Sequence, residues 1–436
     1  MEKRLIEPRL YPPQFNNYPS YAFMEGRRDG IDFSQEVGAE CVMFVHLPFC
    51  LQRCSYCTLS EIIHNPDELS PVITSMKKEI DIYAGMMGNR KVKAALLGGG
   101  TPSNLRVEQI KDLYGHLCEK INFASDAEVT VEVRPETLSV EKLIAFRACG
   151  VNRLSFGVQS LNPEELKLCG RKNTADVLKD CINMAHEAGL DNINFDIILG
   201  LPTQTLDTFK QTCTTIFTDL MPNHVSLYLL IVHPKTGFDM LFGKQSELFP
   251  QEDQNSKGYD LFFDCALEHG YVITSAENVA RTDDLCSHYQ RLNWQGFERL
   301  AIGPEAIGFM GKTQYVNLGW KNGYADVVNK GELPLNRSLK ISGEQELRRK
   351  IILGLHNLFI SIKDINNEFG VDIEESFEDQ WNELQRRKMI VRGDGQITLT
   401  AEGRKYLYFL QTKFYEDGMF ELQRGRAGAI RETKTY

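Results

Sequence analysis

Three cysteines that lie close together in the sequence have the spacing of a metal-binding loop. Cys50, Cys54 and Cys57 follow a short apolar run in a C-x₃-C-x₂-C pattern. Cysteine thiolates hold iron–sulfur clusters, and three thiolates on a four-iron cluster leave one iron open to another ligand. A structural zinc with His46 or His64 as fourth ligand is the alternative, but such sites usually divide their ligands into two separated pairs. We therefore expect a [4Fe–4S] cluster on Cys50, Cys54 and Cys57.

Length and composition narrow the class of protein. A chain of 436 residues with 42% apolar residues can form one large α/β domain and a smaller one. A formal net charge of −10 argues against a nucleic-acid partner, which would need a basic stripe. No signal peptide and no apolar run of membrane-spanning length, about 18 residues, is visible, so no membrane partner is expected. We expect a cytoplasmic protein whose 11 cysteines are thiols, with the eight outside the loop in the core.

Short apolar runs alternate with longer helix-patterned segments in the first half of the chain. Residues 1–40 are rich in proline and predict an extended arm that wraps the following domain. The alternation predicts βα units and a parallel sheet that forms a six-strand partial barrel over residues 41–235, because two further units would be needed for a full barrel. The predicted strands are 42–46, 92–97, 128–133, 152–157, 192–198 and 223–230. Helical patterns at 67–86 and 174–188 fall between them.

Polar residues and glycines follow the predicted strands where parallel barrels carry their chemistry, at the carboxyl ends. The second strand runs into the glycine triplet 98–100, where missing side chains let a ligand approach the backbone, although a tight turn would also need glycine. Glu132 and Asp196 are lone acids in apolar strands, and such groups are costly to bury without partners. Gln159 and Arg171 follow the fourth strand. These groups either bind a ligand or satisfy one another at the barrel rim.

The last part of the chain has a different pattern. Residues 236–340 are interpreted as a segment that completes the barrel on the substrate side, with a helix over 254–268. Residues 341–436 predict a small accessory domain with helices at 343–357, 362–369 and 373–388 and strands at 389–392 and 396–400. Three helices and a β-hairpin indicate a winged-helix shape. DNA binding by this domain is a minor hypothesis, because its basic run 386–388 is short.

The stretch H-L-P-F-C-L-Q-R-C-S-Y-C at residues 46–57 resembles the cluster loop of the radical S-adenosylmethionine (SAM) superfamily. The resemblance is strongest to the oxygen-independent coproporphyrinogen III oxidase branch, which also contains the haem chaperone HemW, and it covers nearly the whole chain. It implies a (β/α)₆ barrel, a [4Fe–4S] cluster whose open iron chelates SAM, and an external electron donor such as flavodoxin or ferredoxin. Reduction of the cluster would then cleave SAM and release a 5′-deoxyadenosyl radical.

The same resemblance assigns the residues that would contact SAM. The segment 98–102 is similar to the family's GGGTP motif, whose backbone meets the amino end of SAM, and Glu132 occupies the position of the ribose-binding glutamate. Other positions match the remaining polar contacts or the aromatic residues near the loop. The cofactor-binding residues implied in this way are Phe44, Tyr56, Gly99, Gly100, Thr101, Glu132, Gln159, Arg171 and Asp196.

Other motifs of the family are altered in this chain. The decarboxylases carry a fourth cysteine two residues past the loop, where this chain has Leu59, and a tyrosine where it has Phe44. The chaperones carry H-N-x-x-Y-W, which aligned on Trp294 reads Y-Q-R-L-N-W here, although His288 is one residue away. The family's glycine-rich turn reads A-I-G-P-E-A at residues 301–306, with two glycines replaced.

Three functions therefore compete. The first is a coproporphyrinogen decarboxylase and the second is a haem chaperone with little SAM turnover. The third is a radical SAM enzyme for a small organic substrate, with tetrapyrroles and aromatic compounds among the candidates, which could use a second SAM as methyl donor in the manner of the class C methyltransferases. The altered motifs favour the third by elimination.

Overall fold

The computed structural model describes residues 18–19, 24, 28–33, 40–58, 61–243 and 246–416. Most of the predicted arm 1–40, and Leu59, lie outside these residues. The strands of the described residues are β1 (Glu40–Leu47), β2 (Phe49–Cys50), β3 (Glu61–Ile62), β4 (Lys91–Gly99), β5 (Phe123–Val133), β6 (Arg153–Gln159), β7 (Asn192–Leu199), β8 (His224–Leu229), β9 (Val272–Ile273), β10 (Asn278–Ala280), β11 (Arg299–Ile302), β12 (Ile307–Met310), β13 (Thr313–Asn317), β14 (Leu335–Lys340), β15 (Phe359–Ser361), β16 (Ile390–Gly393) and β17 (Gln396–Leu399).

The α-helices of the described residues lie mostly between the strands of the first half and in the last hundred residues. They are α1 (Ser70–Met86), α2 (Val107–Lys120), α3 (Val140–Ala148), α4 (Pro163–Cys169), α5 (Ala175–Glu187), α6 (Leu206–Thr215), α7 (Gly237–Phe242), α8 (Glu252–Glu268), α9 (His288–Trp294), α10 (Tyr324–Val328), α11 (Gly343–Gly354), α12 (Ile362–Phe369), α13 (Ile373–Ser376), α14 (Glu378–Arg386), α15 (Ala401–Lys405) and α16 (Leu407–Thr412).

The six predicted barrel strands are confirmed as the parallel centre of one large sheet. Strands β1, β4, β5, β6, β7 and β8 are neighbours in that order, and every pair among them is parallel. Crossover helices connect them, as parallel pairing requires. The helix α5 begins where the Thr174 side chain accepts a hydrogen bond from the Val177 N–H, and Gly189, with φ 73°, follows its end in the left-handed region.

The sheet is wider than the six predicted strands. A further parallel strand, β11, pairs with β1 on its free edge, and the antiparallel strands β12 to β14 continue the sheet beyond it. On the other side β10 and β9 extend it past β8. Strand β11 was not predicted, because its four residues directly precede a glycine-containing turn and the whole segment was interpreted as that turn.

The turn after β11 is held by a buried carboxylate. Glu79 of α1 accepts hydrogen bonds from the Gly303 N–H at 2.7 Å and from the Asn317 side chain at 2.6 Å. Burial raises the pKa of Glu79 to about 8, although these donors and Tyr324 oppose the rise. Gly303 has φ 107°, and a Cβ there would lie 2.1 Å from the carbonyl oxygen of His46. The turn therefore packs directly against the end of β1.

The small domain after residue 341 has a separate hydrophobic core around the buried Trp381. Its hairpin β16–β17 is confirmed, and β15 adds a third strand beside β17. The predicted helix 373–388 is wrong in its continuity, since Phe377 adopts a non-helical ψ of 33° and separates α13 from α14. Tyr18 of the arm packs in this core, with its ring 5.3 Å from that of Tyr415.

Seven of the eight cysteines outside the loop are buried, as predicted. Cys118 is the exception: it is exposed, and its thiol donates to the carbonyl oxygen of Cys149 at 2.8 Å. It lies near the end of α2, whose buried face is formed by other residues such as Leu113 and Leu117. Among the helices that the structure describes, none is long and apolar enough to cross a membrane.

Candidate functional site

The cysteine loop is fixed to the barrel at both ends. At its start the Gly100 N–H donates to Leu47 O at 2.9 Å, which ties the loop to the end of β4. At its far side the Ser55 N–H donates to Cys169 O at 3.2 Å, and the Phe238 N–H donates to Ser55 O at 2.8 Å. The loop is therefore held between β4, the end of α4 and the start of α7, at the carboxyl ends of the parallel strands.

The three thiols of the loop differ in their surroundings. Cys50 is buried and its Sγ lies 3.1 Å from Thr101 Oγ1, Cys54 is buried, and Cys57 is partly exposed. The Cys57 N–H donates to Cys54 O at 3.0 Å, which turns the loop between these two. Within the described residues no three His, Cys, Asp or Glu side chains are close enough together to hold a metal ion. The donor chemistry of three thiols suits an iron–sulfur cluster. In the present structure Cys50 contacts Thr101 and Cys54 contacts Arg171.

His46 does not join the cysteines. Its Nδ1 donates to Pro304 O at 2.6 Å, and its ring fills the space beside Gly99. Burial lowers the pKa of His46 to about 4, so the ring is neutral at pH 7. The zinc alternative with His46 as a fourth ligand therefore finds no geometric support, and His46 serves as a packing residue between β1 and β4.

Arg171 contacts three parts of the site at once. Its Nε donates to Cys54 Sγ at 3.1 Å, its Nη1 donates to Gly157 O at 3.2 Å, and its Nη2 lies 3.4 Å from Tyr56 Oη. Burial lowers the pKa of Arg171. The negative charges that Tyr56 and Cys54 carry when ionised raise this pKa by more than burial lowers it, so the net shift is upward. The guanidinium remains a cation beside the cysteine loop.

Arg134 was not predicted, and it also links the loop to its surroundings. Its Nη2 donates to Gly170 O at 3.2 Å and its Nη1 to Gln52 O at 3.5 Å. It follows β5 directly, just past Glu132, so the same strand supplies a site carboxylate and a cation that supports the loop. Its position directly after a predicted strand could have identified Arg134 from the sequence.

The glycine triplet is required by the chain's own packing. A Cβ on Gly98 would lie 2.3 Å from Glu132 Oε2, and one on Gly100 would lie 2.4 Å from the backbone nitrogen of Phe49. Gly99 has φ 102°, and its Cβ would lie 2.0 Å from the His46 ring. The interpretation that the glycines only make room for a ligand is therefore incomplete, because each position is also crowded by protein atoms.

The two predicted acids lie on strands that flank β6. Glu132 accepts the Gly99 N–H at 2.8 Å, and Asp196 accepts the Ser155 hydroxyl at 2.8 Å. Burial raises the pKa of Glu132 to about 7, with a further rise from the charge of Asp196. Burial also raises the pKa of Asp196, although its hydrogen bonds to Ser155 and Asn194 oppose the rise. The structure thus brings both acids and the glycine triplet to one face of the sheet.

A polar network beneath Asp196 was also not predicted. Asn194 donates to Asp196 Oδ1 at 2.8 Å and to Ser155 Oγ at 2.7 Å. His224 donates through Nδ1 to Asn194 Oδ1 at 2.5 Å. Because strand side chains alternate, polar residues at 194 and 196 and at 224 and 226 face the same side. This alternation of polar residues was visible in the sequence and could have identified the network.

The remaining predicted residues have different positions. Gln159 ends β6 with φ 68°, and its Nε2 lies beside Gly157 and the Arg171 side chain. Tyr56 packs 6.4 Å from the Phe238 ring, and Phe44 lies 5.2 Å from the His46 ring on the face that carries the acids. Thr101 is buried against Cys50.

His288 lies away from the carboxyl ends of the parallel strands. It begins α9, its backbone N–H donates to Glu128 Oε1 at 2.9 Å, and its side chain is exposed. The Oε2 of Glu128 in turn lies 4.0 Å from the Nη1 of Arg153, which is the first residue of β6. His288 is therefore at the amino-terminal half of the sheet. At the other end of α9, Trp294 stacks on His356 with ring centroids 4.7 Å apart.

In the altered glycine turn, Glu305 adopts a left-handed backbone conformation. Glu305 has φ 60°, which only glycine adopts without strain, and its N–H donates to Leu318 O at 3.0 Å. Ala301 lies within β11, where its N–H donates to Tyr315 Oη at 2.8 Å.

The chain matches two families of known domains. Residues 44–216 match the radical SAM superfamily, and residues 341–406 match the HemN C-terminal domain. It is 28% identical to the heme chaperone HemW of Bacillus subtilis, over 83% of this chain and 95% of that protein. It is 26% identical to the oxygen-independent coproporphyrinogen III oxidase of Pseudomonas aeruginosa, over 90% and 89% of the two chains.

A solved structure agrees with these matches. The coproporphyrinogen III oxidase HemN of Escherichia coli, described as a radical SAM enzyme, superposes with a TM-score of 0.78 at 25% identity. The alignment covers 87% of this chain and 91% of that one. The expected resemblance and the α/β radical SAM fold are therefore confirmed, and the chain belongs to the radical SAM superfamily as an enzyme of the HemN and HemW type.

Proposed function

We propose that the chain holds one [4Fe–4S] cluster on Cys50, Cys54 and Cys57 and uses it to cleave SAM reductively, forming a 5′-deoxyadenosyl radical that acts on a small organic substrate. The observation that carries the proposal is the convergence of the cysteine loop, the glycine triplet and two partly buried acids at one end of a parallel sheet. When bound, the cluster would supply the electron that breaks the sulfonium bond.

The loop itself is suited to hold such a group. Backbone hydrogen bonds fix it on both sides, so the three thiols can be oriented without ordering a free segment. Cluster binding would exchange the present contacts of Cys50 with Thr101 and of Cys54 with Arg171 for bonds to iron. Arg171 would then remain beside the thiolates as a compensating cation.

The acids are suited to bind the polar parts of SAM. Glu132 accepts a hydrogen bond from the glycine triplet and Asp196 lies two strands further, so the two carboxylates can receive donors from the ribose and the amino end. The network of Ser155, Asn194 and His224 orients Asp196 from below. Carboxylates whose orientation is fixed in advance bind hydrogen-bond donors with little entropic cost.

The substrate would enter between the strand ends and the small domain. Tyr408 of α16 donates to Glu277 Oε1 at 2.5 Å, and His356 O accepts the Ala276 N–H at 3.1 Å, so the small domain covers the barrel beside β10. Tyr228, 45% exposed at the end of β8, would lie along this entry. The relatives that act as oxidases make a tetrapyrrole substrate a reasonable first candidate, and methyl transfer finds no support among the relatives described above.

Haem carriage is the second candidate, because the HemW relative aligns over nearly all of its length. The position of His288 disfavours it, since that imidazole lies at the amino-terminal half of the sheet and away from the proposed cluster. A protein that only carries haem also has no need for two strand-borne acids beside the cysteine loop.

The decisive experiment is anaerobic reconstitution of the cluster followed by reaction with SAM and a strong reductant. Release of 5′-deoxyadenosine is expected, together with about four irons per chain. Cys57→Ala should lose both the cluster and the product. Cys118→Ala is the matched control, because Cys118 is an exposed cysteine outside the loop, and it should retain both. Stoichiometric zinc after anaerobic purification, or haem binding with no SAM cleavage, would contradict the proposal.

A further inference from the structure

A short helix with exposed apolar side chains lies against the cysteine loop. In α7 the Phe238 N–H donates to Ser55 O of the loop at 2.8 Å, and the Phe238 ring is buried in an apolar cluster, which fixes the helix to the protein. Met240 and Leu241 of the same helix extend into solvent. Among the large apolar side chains of the described residues they are the most exposed, at 74% and 68%.

Further apolar side chains are exposed around the loop. Leu51, in the loop itself, is 41% exposed, and Leu248, which follows α7, is 43% exposed. The segment that carries Leu248 lies beside the helix, because the Phe249 ring is 6.2 Å from that of Phe242 by centroids. Single exposed apolar residues are common in folded proteins, but a group of them marks an interaction site.

Exposed cations surround the same loop. Gly170 O, at the end of α4, accepts from the Gln52 side chain of the loop at 3.4 Å, and a Cβ on Gly237 would lie 2.9 Å from the Ser55 Cα. The exposed cations lie in the loop or within three residues of Gly170 or Gly237, and they are Arg53, Lys167, Lys172 and Lys235. A chain with a net charge of −10 therefore gathers positive charge at this place.

The acids of this region leave the cations in excess. They are Glu61, Glu136, Glu164, Asp239 and Glu247. Glu61 pairs with Lys321 at 3.0 Å, Glu136 accepts from Arg134 Nε at 3.1 Å, and Asp239 accepts a backbone N–H at 2.7 Å before α7. The other two acids are exposed. A surface of this charge attracts an acidic protein and speeds its approach.

This surface adjoins the residues that would hold the cluster. Cys50, Cys54 and Cys57 belong to the loop, and Cys57 is partly exposed. Electron transfer between two proteins slows steeply as the distance between their redox centres grows. A protein that delivers electrons to the proposed cluster would therefore have to approach the loop closely.

We propose that residues 51–53, 167–172, 235–241 and 248 form a docking face for a small acidic electron-transfer protein. The inference rests on the proposed function, because reductive cleavage of SAM takes one electron from outside the chain. The carrier is oxidised by one electron, and the bond between C5′ and the sulfonium sulfur breaks to give methionine and the 5′-deoxyadenosyl radical. The exposed apolar side chains would contact the carrier, while the cations around them would orient its acidic surface.

The size of the docking face favours a carrier over a second copy of this chain. A loop and a six-residue helix offer a small area, and redox encounters typically bury less than about 1,200 Å². Stable dimers usually bury more than this. A second copy would also bring no electron of its own.

The test compares two ways of supplying electrons to the full-length, anaerobically reconstituted protein. Dithionite is a small reductant that needs no docking face, whereas reduced flavodoxin and reduced ferredoxin are acidic carriers. Release of 5′-deoxyadenosine is measured with each. Binding of the oxidised carriers is measured separately by calorimetry at about 50 and 300 mM salt, since salt screens attraction between charged surfaces. At least one carrier should support cleavage and bind more tightly at the lower salt concentration.

The apolar part of the docking face is tested by the double variant Met240→Gln/Leu241→Gln. It should weaken carrier binding and slow carrier-driven cleavage at least tenfold, because two exposed apolar contacts are lost, and dithionite-driven cleavage should be unchanged. The control Ile144→Gln/Leu267→Gln changes side chains that are 53% and 50% exposed on α3 and α8. It should retain the parent's binding and both rates.

The charged part is tested by Lys167→Glu/Lys235→Glu. This variant should also weaken carrier binding at least tenfold at low salt, and its affinity should depend less on salt than that of the parent. Lys210→Glu/Lys330→Glu makes the same change of charge at exposed positions in α6 and after α10. Its carrier binding should stay within about twofold of the parent's, since these charges are farther from the loop than a Debye length.

Four outcomes would contradict these expectations in different ways. Cleavage with dithionite but with neither carrier would overturn the docking proposal, and so would parental carrier affinity in both docking-face variants. Self-association of the parent that Met240→Gln/Leu241→Gln abolishes, measured by sedimentation, would assign the face to a second copy instead. Absence of cleavage with dithionite would overturn the proposed function itself.

Discussion

The Nε of Arg171 lies 3.1 Å from the Sγ of Cys54, so a side chain from the turn after α4 donates directly to a thiol of the cysteine loop. The same guanidinium reaches Gly157 O and Tyr56 Oη, and it therefore joins the loop to the end of β6. In the proposed function this relationship places a fixed cation beside the cluster.

Replacing Arg171 should impair SAM cleavage without unfolding the protein. A hydrogen bond to a charged group contributes about 1.5–3 kcal/mol, so Arg171→Gln should lower the rate of 5′-deoxyadenosine release roughly tenfold to hundredfold. The rate is measured under single-turnover conditions with iron content determined in parallel. Arg386→Gln, the same change at an exposed helix end, is the control. A variant with normal iron content and an unchanged rate would limit Arg171 to a structural role.

The pKa of Glu132 predicts how stability depends on pH. Burial raises it to about 7 from the ordinary value of 4.5, so the folded protein binds this proton more tightly than the unfolded chain. Its contribution is present in full below about pH 4.5 and is lost as the pH rises through 7, a change of up to about 3 kcal/mol. The stability of Glu132→Gln relative to the parent protein should therefore be greater at pH 8 than at pH 5.

This prediction is checked by urea unfolding of the ligand-free protein at both pH values. Glu164→Gln, at an exposed position in the first turn of α4, should show no such relative gain. If the difference in unfolding free energy between Glu132→Gln and the parent were the same at pH 5 and pH 8, the carboxyl would not titrate in this range. Glu132→Gln should also weaken SAM binding by about 1–3 kcal/mol, because a ribose donor would lose its anionic partner.

The glycine triplet should tolerate no side chain. Gly99→Ala would place a Cβ 2.0 Å from His46 at φ 102°, so we expect a loss of about 2–5 kcal/mol in unfolding free energy. Gly115→Ala is the matched control, because Gly115 lies within α2 with no atom within 4 Å of the added Cβ. That change should stabilise the protein by about 0.5–1 kcal/mol. Equal effects of the two substitutions would show that the crowding around Gly99 relaxes freely.

Haem titration separates the two candidate functions. Since His288 lies on the amino-terminal half of the sheet, any haem bound near the proposed cluster should be unaffected by His288→Ala. The Soret band and the haem stoichiometry are compared for the parent protein and the variant. Tight binding that is lost in His288→Ala, with no SAM cleavage by the parent, would make haem carriage the better assignment.

Local sequence patterns were sufficient to predict the parallel strands and the residues at their carboxyl ends. The six runs predicted as strands are short, apolar and separated by helical patterns, so their type could be read without knowing their neighbours. Strand β11 could not be placed in this way, because its position beside β1 depends on pairing between distant segments. The contacts of Arg171 and Arg134 with the loop likewise depend on which strand ends become neighbours.

The side-chain environments were less predictable than the positions. Glycines at 98–100 suggested an open approach for a ligand, but their crowding by His46, Glu132 and Phe49 appears only when the strands are assembled. Cys118 was expected in the core together with the other cysteines outside the loop, but the face of α2 on which it lies is solvent-exposed. Which face of a helix is covered is a property of the fold.

The hydrogen bond between His46 and Pro304 joins residues 258 positions apart, and it bears on how the chain is synthesised. The strand that leads into the cysteine loop has an unpaired edge until β11 leaves the ribosome. At about 5–20 residues per second this interval lasts roughly 10–50 s. An open strand edge is a template for pairing with other chains. The nascent protein would therefore need its first barrel strand shielded during that time, and a slowly translated message would lengthen the exposure.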